Sequence, residues 1–210
     1  VELLANGRCF QRKLEPGAVL LDQGARSESI YVLLEGWAFC YKVLEDGRRQ
    51  ILDLVMPGRI IGFNLHELAI YGVEAKTNCR VAVFNRQSFY ATLLQSPVLC
   101  LKCANLFAHA EGRALERLSR VGRVSAIERV SGLIVELALR LHAVRDSGQG
   151  ALKLLLTQCE IADMLGLAKE TVCRALMRLR KDGLISLSGG VLEIRDFDRL
   201  VALLGDDVQG

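Results

Sequence analysis

Apolar and polar positions recur in two rhythms along the chain, and the change between them divides it. Up to about residue 84 the apolar runs are short: 19–21, 30–34, 38–43, 51–55 and 81–84. Between them fall Pro16, Gly17, Gly24, Gly36, Asp46, Gly47, Pro57, Gly58 and Gly62. Short strands punctuated by turn residues predict an antiparallel barrel or roll. Asp46 followed by Gly47, between two apolar-rich runs, predicts a hairpin. Asn85 is placed to cap a short helix over 86–94.

From Ser96 onward the spacing changes to three and four. Ser96 and Pro97 read as the cap and first residue of a long helix reaching about Gly122. Within it Ala104, Phe107, Glu111, Ala114, Leu118 and Val121 repeat as a coiled-coil seam that would pair the chain with a second copy. The same positions also suit a helix packed only on its own domain. Ser125 and Glu128 form a capping box for a further helix to about Val144. Residues 146–150 read as a loop and 152–156 as a strand. Asp196 can cap a last helix, ended by Gly205.

The stretch 157–182, TQCEIADMLGLAKETVCRALMRLRKD, is the most informative. Thr157 and Glu160 make another capping box, and Ile161, Met164 and Leu165 give one apolar stripe. Gly166 breaks that helix, and Leu167 can plug the space before the next. The second helix, about 168–182 with Gly183 as its stop, turns Val172, Ala175, Leu176 and Leu179 inward. Its other face carries Lys169, Glu170, Cys173, Arg174, Arg178, Arg180 and Lys181. Cations dominate that face, which suits a polyanion. Helix, tight turn and a helix with a polar leading edge is the pattern of a DNA-reading helix-turn-helix; an ordinary helical hairpin with a solvated basic face shares it. Residues 184–187 and 191–194, around Ser188, Gly189 and Gly190, read as a hairpin, the wing that follows a reading helix.

Composition narrows this further. With 210 residues and 51% hydrophobic content, the chain can build one large core or two modest ones. A formal charge of +3 does not by itself imply nucleic acid; the crowding of cations onto 169–181, against an acidic tail around Asp196, Asp198, Asp206 and Asp207, says more. The seven cysteines follow no framework spacing, which points to a reducing cytoplasm. No apolar run is long enough for a bilayer, so no membrane is expected, and no signal peptide is evident. Position 1 is Val, so an upstream segment is expected. No nucleophile–base–orienter set or metal-ligand spacing points to an enzyme.

The order roll, long helix, winged helix-turn-helix resembles the CRP/FNR family of bacterial transcription regulators over nearly all of the chain. The likeness rests on LEDGRRQILDLVMPGRIIGF (44–63), SAIERV (125–130) and, most specifically, LTQCEIADMLGLAKETVCR (156–174). DGRRQI and Gly62-Phe63 place it nearest the FNR/FixK-like branch. The resemblance implies an α+β fold: a cyclic-nucleotide-binding-like β-roll (1–95), a dimerisation helix (96–123) and a winged helix-turn-helix (124–210). It also implies a cytoplasmic homodimer on a palindromic operator. Double-stranded DNA and RNA polymerase would be its partners, and activation in an oxygen/redox or nitrogen-related response its task.

The family's base-reading pattern, Glu-x-x-x-Arg, corresponds here to Glu170 and Arg174. Arg can bond guanine bidentately and Glu can accept from cytosine N4. Cys173 stands where FNR-like members carry Ser, and Lys169 where cyclic-AMP-type members carry Arg, so the outer bases of the half-site are left open. Thr157, Gln158, Thr171, Arg178, Ser188 and Gly189 are expected to touch phosphate, which positions without specifying. Cys173 and Cys159 are candidate redox thiols; Cys173 equally suits a small residue against a base.

At the sensor end the resemblance argues against cyclic AMP. Phe63 follows Gly62 where such members have Glu, and Ala69-Ile70 replace the Arg-Ser pair that holds phosphate. The FNR-type iron–sulfur cluster takes three N-terminal cysteines, which would lie upstream of Val1, and one in the roll. Ala82 occupies the roll position, with Cys79 three residues earlier and Cys9 the other nearby thiol. Cys100 and Cys103 share a helix face as a ligand pair or as buried small residues. His66, His109 and His142 are isolated, with His66 a candidate haem ligand. The alternative function is therefore a haem- or small-molecule-gated regulator whose roll is a ligand module.

Overall fold

A computed structural model describes residues 9–63, 68–121, 124–144, 155–188 and 191–204, with side chains described only to 141 in the third segment. The chain forms two compact units, Val1–Ala114 and Leu115–Gly210.

The first unit contains β1 (Cys9–Leu14), β2 (Val19–Leu21), β3 (Ser29–Glu35), β4 (Ala38–Val43), β5 (Arg49–Val55), β6 (Ile60–Ile61), β7 (Gly72–Ala75) and β8 (Cys79–Asn85). They make two four-stranded antiparallel sheets, ordered β1-β8-β3-β6 and β2-β7-β4-β5. All five apolar runs of the sequence become strands. The predicted hairpin joins β4 to β5, with Asp46 Oδ1 accepting from the Arg48 amide at 3.0 Å. β1, β6 and β7 went unpredicted. β1 reads CFQRKL, mostly exposed and charged at its centre. It sits at a sheet edge, where charge protects against stray pairing and erases the alternation that marks a strand. Leu33, Val73, Val81 and Ala38 fill the core between the sheets.

Asn85 caps α1 (Arg86–Gln95), its side chain accepting from the Ser88 amide at 3.1 Å. The long helix follows as α2 (Pro97–Ser119), with Ser96 Oγ accepting from the Leu99 amide at 3.3 Å. It stops at Ser119, three residues short of the expected Gly122, which lies outside the described residues. Cys103 is its fully buried residue, in a cluster with Ile30, Phe84, Phe89 and Leu93.

In the second unit, α3 (Ala126–Val144) starts on the predicted capping box: Ser125 N donates to Glu128 Oε2 at 2.6 Å, and Ser125 Oγ accepts from Glu128 N at 3.4 Å. The Ser125 hydroxyl first, and the Ser125 amide second, hold the Glu128 carboxyl below its ordinary pKa. Val130, Ile134, Leu137 and Ala138 are buried on α3. Arg117 pairs bidentately with Glu136 at 2.8 Å, and Arg140 joins the same carboxylate at 3.1 Å. A Cβ on Gly132 would meet the Arg120 guanidinium at 2.4 Å, so the glycine lets that cation lie against α3. The remaining elements are α4 (Gln158–Leu165), α5 (Lys169–Lys181), β9 (Ile185–Ser188), β10 (Val191–Ile194) and α6 (Phe197–Ala202). α3 packs on α4, α5 and α6. The strand expected over 152–156 lies mostly outside the described residues; Leu155 and Leu156 themselves are not in a strand, and Leu156 is buried. Among the described residues no single helix is long and apolar enough to cross a membrane.

Candidate nucleic-acid interface

α4 and α5 form the predicted helix-turn-helix. Thr157 Oγ1 accepts from the Glu160 amide at 3.2 Å, and Glu160 Oε2 accepts from the Thr157 amide at 2.7 Å. Ile161, Ala162 and Met164 are buried. Gly166 ends α4 at φ 60°, ψ 41°, a left-handed conformation that glycine enters without a side-chain penalty. The Leu167 amide then bonds back to the Ala162 carbonyl at 2.9 Å, turning the chain toward α5, and Leu167 itself is half-buried. Arg129 donates to the Leu165 carbonyl, fixing the turn to α3.

α5 is divided lengthwise. Val172, Ala175, Leu176 and Leu179 are all buried. At 3.6 residues per turn the opposite stripe runs Glu170, Arg174, Met177, Lys181, with Cys173 and Arg178 on its flanks. Lys169, Glu170, Arg174 and Arg178 are exposed; Thr171 and Cys173 are half-buried. Arg174 Nη2 approaches Thr171 Oγ1 at 3.4 Å, and Arg178 Nε donates to Asp182 Oδ2 at 2.8 Å. Arg178 therefore already has a carboxylate partner, which a phosphate would have to share. Met177, 57% exposed, was missed in the sequence because its apolar character hid its position on the polar stripe.

α5 also differs from the other helices in how it begins. Asn85, Ser96, Ser125, Thr157 and Asp196 each cap their helices through a side chain. Ala168, the cap residue of α5, has none to offer.

The wing is present. β9 and β10 pair antiparallel, Ser188 opposite Val191 and Ile185 opposite Ile194. Ile185 and Leu192 are buried, and β9 packs on α5. Ser188 is exposed at the hairpin's end, and Thr157 and Gln158 stand exposed and half-buried at the start of α4. Gly189 lies outside the described residues.

The proposed seam residues of α2 differ in exposure. Phe107 is half-buried, its ring 4.8 Å from that of Phe63, and it is turned from the fully exposed stripe. Ala104, Glu111, Ala114, Leu118 and Val121 are exposed as expected. Three residues not singled out complete the exposed stripe: Leu101 at 64% and Leu115 at 60%, with Ala108 between them. Leu101, Ala104, Ala108, Glu111, Leu115 and Leu118 keep strict three-four spacing, one residue out of step with Phe107. The sequence pattern alone fits both registers.

Several residues of the roll stand where the resemblance implies ligand-binding groups. Phe63, in the place of a cyclic-nucleotide Glu, packs against Tyr90 at 5.4 Å and Phe89 at 6.2 Å as well as Phe107. Arg86 donates to the Gly62 carbonyl at 2.9 Å and the Ser27 carbonyl at 2.9 Å, holding that turn. Ala69 is buried and its backbone is bonded to Gly24 and Ala25; Ile70 is exposed. No cation stands at 69–70 to meet a phosphate, so these residues do not fit cyclic AMP. Among the described residues, Cys9 and Cys79 are too far apart to share one cluster. Cys9 pairs with Phe84 and Leu14 with Cys79 across the β1–β8 ladder, so the two thiols stand at its opposite ends, about 17 Å apart at roughly 3.4 Å per residue. Burial raises the Cys79 pKa, and its thiol donates to the Trp37 carbonyl at 3.1 Å. Ala82 is fully buried. Cys103 is buried, which raises its pKa, while Cys100 is exposed. His109 is exposed on α2; His66 and the side chain of His142 lie outside the described residues. Among the described residues, no three His, Cys, Asp or Glu are placed to hold a metal ion.

Comparison with known proteins agrees with this geometry. Residues 11–96 match the cyclic nucleotide-binding domain, and residues 128–203 match the Crp-like helix-turn-helix domain. The transcriptional activator protein FnrL of Cereibacter sphaeroides is 29% identical over 205 residues, covering 96% of this chain and 83% of FnrL. The nitrogen fixation regulation protein FixK of Rhizobium meliloti is 31% identical over 173 residues, 82% of this chain and 76% of that protein. The structure of FixK2 from Bradyrhizobium japonicum superposes with a TM-score of 0.83 at 27% identity, covering 93% of this chain and 96% of FixK2. A cyclic-nucleotide-binding-like roll, a helix-turn-helix divided into buried and cationic faces, and relatives of this extent together establish that the chain belongs to the CRP/FNR family of DNA-binding transcription regulators, on its FNR/FixK branch.

Proposed function

We propose that the chain works in the cytoplasm as a homodimer that reads a two-fold-symmetric operator through α5 and activates transcription by engaging RNA polymerase. The carrying observation is the lengthwise division of α5, with Glu170 and Arg174 exposed one turn apart opposite a fully buried face. Arg174 would bond guanine bidentately while Glu170 accepts from a neighbouring cytosine N4. Lys169, Thr171, Thr157, Gln158, Arg178 and the wing residues Ser188 and Gly189 would meet phosphate. The exposed α2 stripe supplies the dimer contact, and two copies of α5 then meet half-sites about 34–36 Å apart. The printed name of FixK, a nitrogen fixation regulation protein, supports a nitrogen-related response, and membership of the FNR/FixK branch supports an oxygen/redox or nitrogen-related one. The test is selection of bound duplexes from a randomised pool: wild type should enrich a palindrome, and Arg174→Ala should not.

A second reading makes the roll a small-molecule or haem module that gates DNA binding. The match of residues 11–96 to a cyclic nucleotide-binding domain supports it. An absorption spectrum of the purified protein separates the two: a Soret band would favour this second reading.

A further inference from the structure

We propose that Met177 is a third specificity residue, selecting thymine beside the guanine that Arg174 reads. This rests on α5 being the reading helix. Glu170, Arg174, Met177 and Lys181 occupy one stripe at intervals of four, three and four residues, so Met177 points where Arg174 points. Val172, Leu176 and Leu179 are buried, whereas Met177 is 57% exposed, so the core does not account for it. It is flanked by Arg174 and Arg178, on a face otherwise built for a polyanion.

The major groove offers one apolar feature, the thymine C5-methyl group. The thioether arm is unbranched and polarizable, and can fit itself around a methyl group. Three residues beyond Arg174 is about 4.5 Å along the helix axis. That is on the order of one base-pair step, 3.4 Å. With α5 lying along the groove, an arm at that distance falls on the pair adjacent to the one bonded by Arg174. Any base other than thymine there leaves the thioether against polar edges.

The test uses the full-length protein and the palindrome that wild type enriches. Each thymine is replaced in turn by deoxyuridine, symmetrically in both half-sites, which deletes only the methyl group. Affinity is measured for wild type and Met177→Ala. Losing one buried methyl contact corresponds to about fourfold per half-site. Wild type should therefore show one thymine whose replacement weakens the dimer by about fifteenfold. Met177→Ala should bind the two duplexes alike at that position. Because Met177 is exposed, the variant should keep its fold, which far-ultraviolet circular dichroism and melting would verify. If every deoxyuridine duplex affects both proteins equally, the proposal is overturned. It is overturned too if Met177→Ala weakens scrambled and selected duplexes alike, since Met177 would then pack on the sugar–phosphate backbone. If wild type enriches no sequence at all, the reading of α5 itself falls and this inference with it. An enriched palindrome that depends on Arg174 but not on Met177 removes only the latter.

Discussion

The rings of Phe107 and Phe63 lie 4.8 Å apart, tilted by 31°, tying the middle of α2 to the turn after β6. This contact sets the rotation of α2 within the first unit, at Phe107. Leu101, Leu115 and Leu118 all face outward, between 60% and 67% exposed. If they form the dimer seam, Leu115→Glu should give a monomer in sedimentation velocity and abolish operator binding. A dimeric Leu115→Glu would place the contact on another surface.

Glu111 sits within that stripe among apolar neighbours. Two copies would bring like charges together across the seam. Glu111→Leu should remove that repulsion and lower the dimer dissociation constant, about tenfold for each 1.4 kcal/mol gained. An unchanged constant would move Glu111 out of the seam.

Arg174→Ala should remove specific binding while leaving weak, salt-sensitive background binding. A bidentate Arg–guanine contact is worth about 1–3 kcal/mol per half-site, and a dimer loses two. Fluorescence anisotropy at several salt concentrations measures both parts. If affinity falls by the same factor for every sequence, Arg174 contacts phosphate. Glu170→Ala should instead relax discrimination at the paired cytosine more than it lowers affinity.

Cys173 is half-buried on the flank of the reading stripe, beside Arg174. Peroxide oxidation to a sulfinic acid would place a negative charge against phosphate. Treated wild type should bind operator more weakly, and Cys173→Ser should resist. Equal loss in both would move the sensitivity to another thiol, with the exposed Cys159 next.

Much of this arrangement was legible in the sequence because local rules decide it. The capping boxes at Ser125 and Thr157, the cap at Asn85 and the buried stripe of α5 are each set within a few residues. What escaped depends on distant partners. β1 exists because β8 lies beside it, not because its own residues alternate. The rotation of α2 depends on Phe63, more than forty residues upstream, and periodicity admits either register. Met177 was overlooked because an apolar residue on a charged helix reads as core until the opposite face is seen to be full.

Among the described helices, α5 is the one whose cap residue, Ala168, offers no side-chain hydrogen bond to its first turn. Adding one there is chemically simple: Ala168→Asp would cap the helix, for about 0.5–2 kcal/mol of added stability. It would also set a carboxylate at the threshold of the groove, in front of amides that a phosphate would otherwise meet. The variant should melt higher and hold DNA less tightly. On that outcome, robustness and grip would be opposed at a single side chain, one methyl group at the entrance of α5.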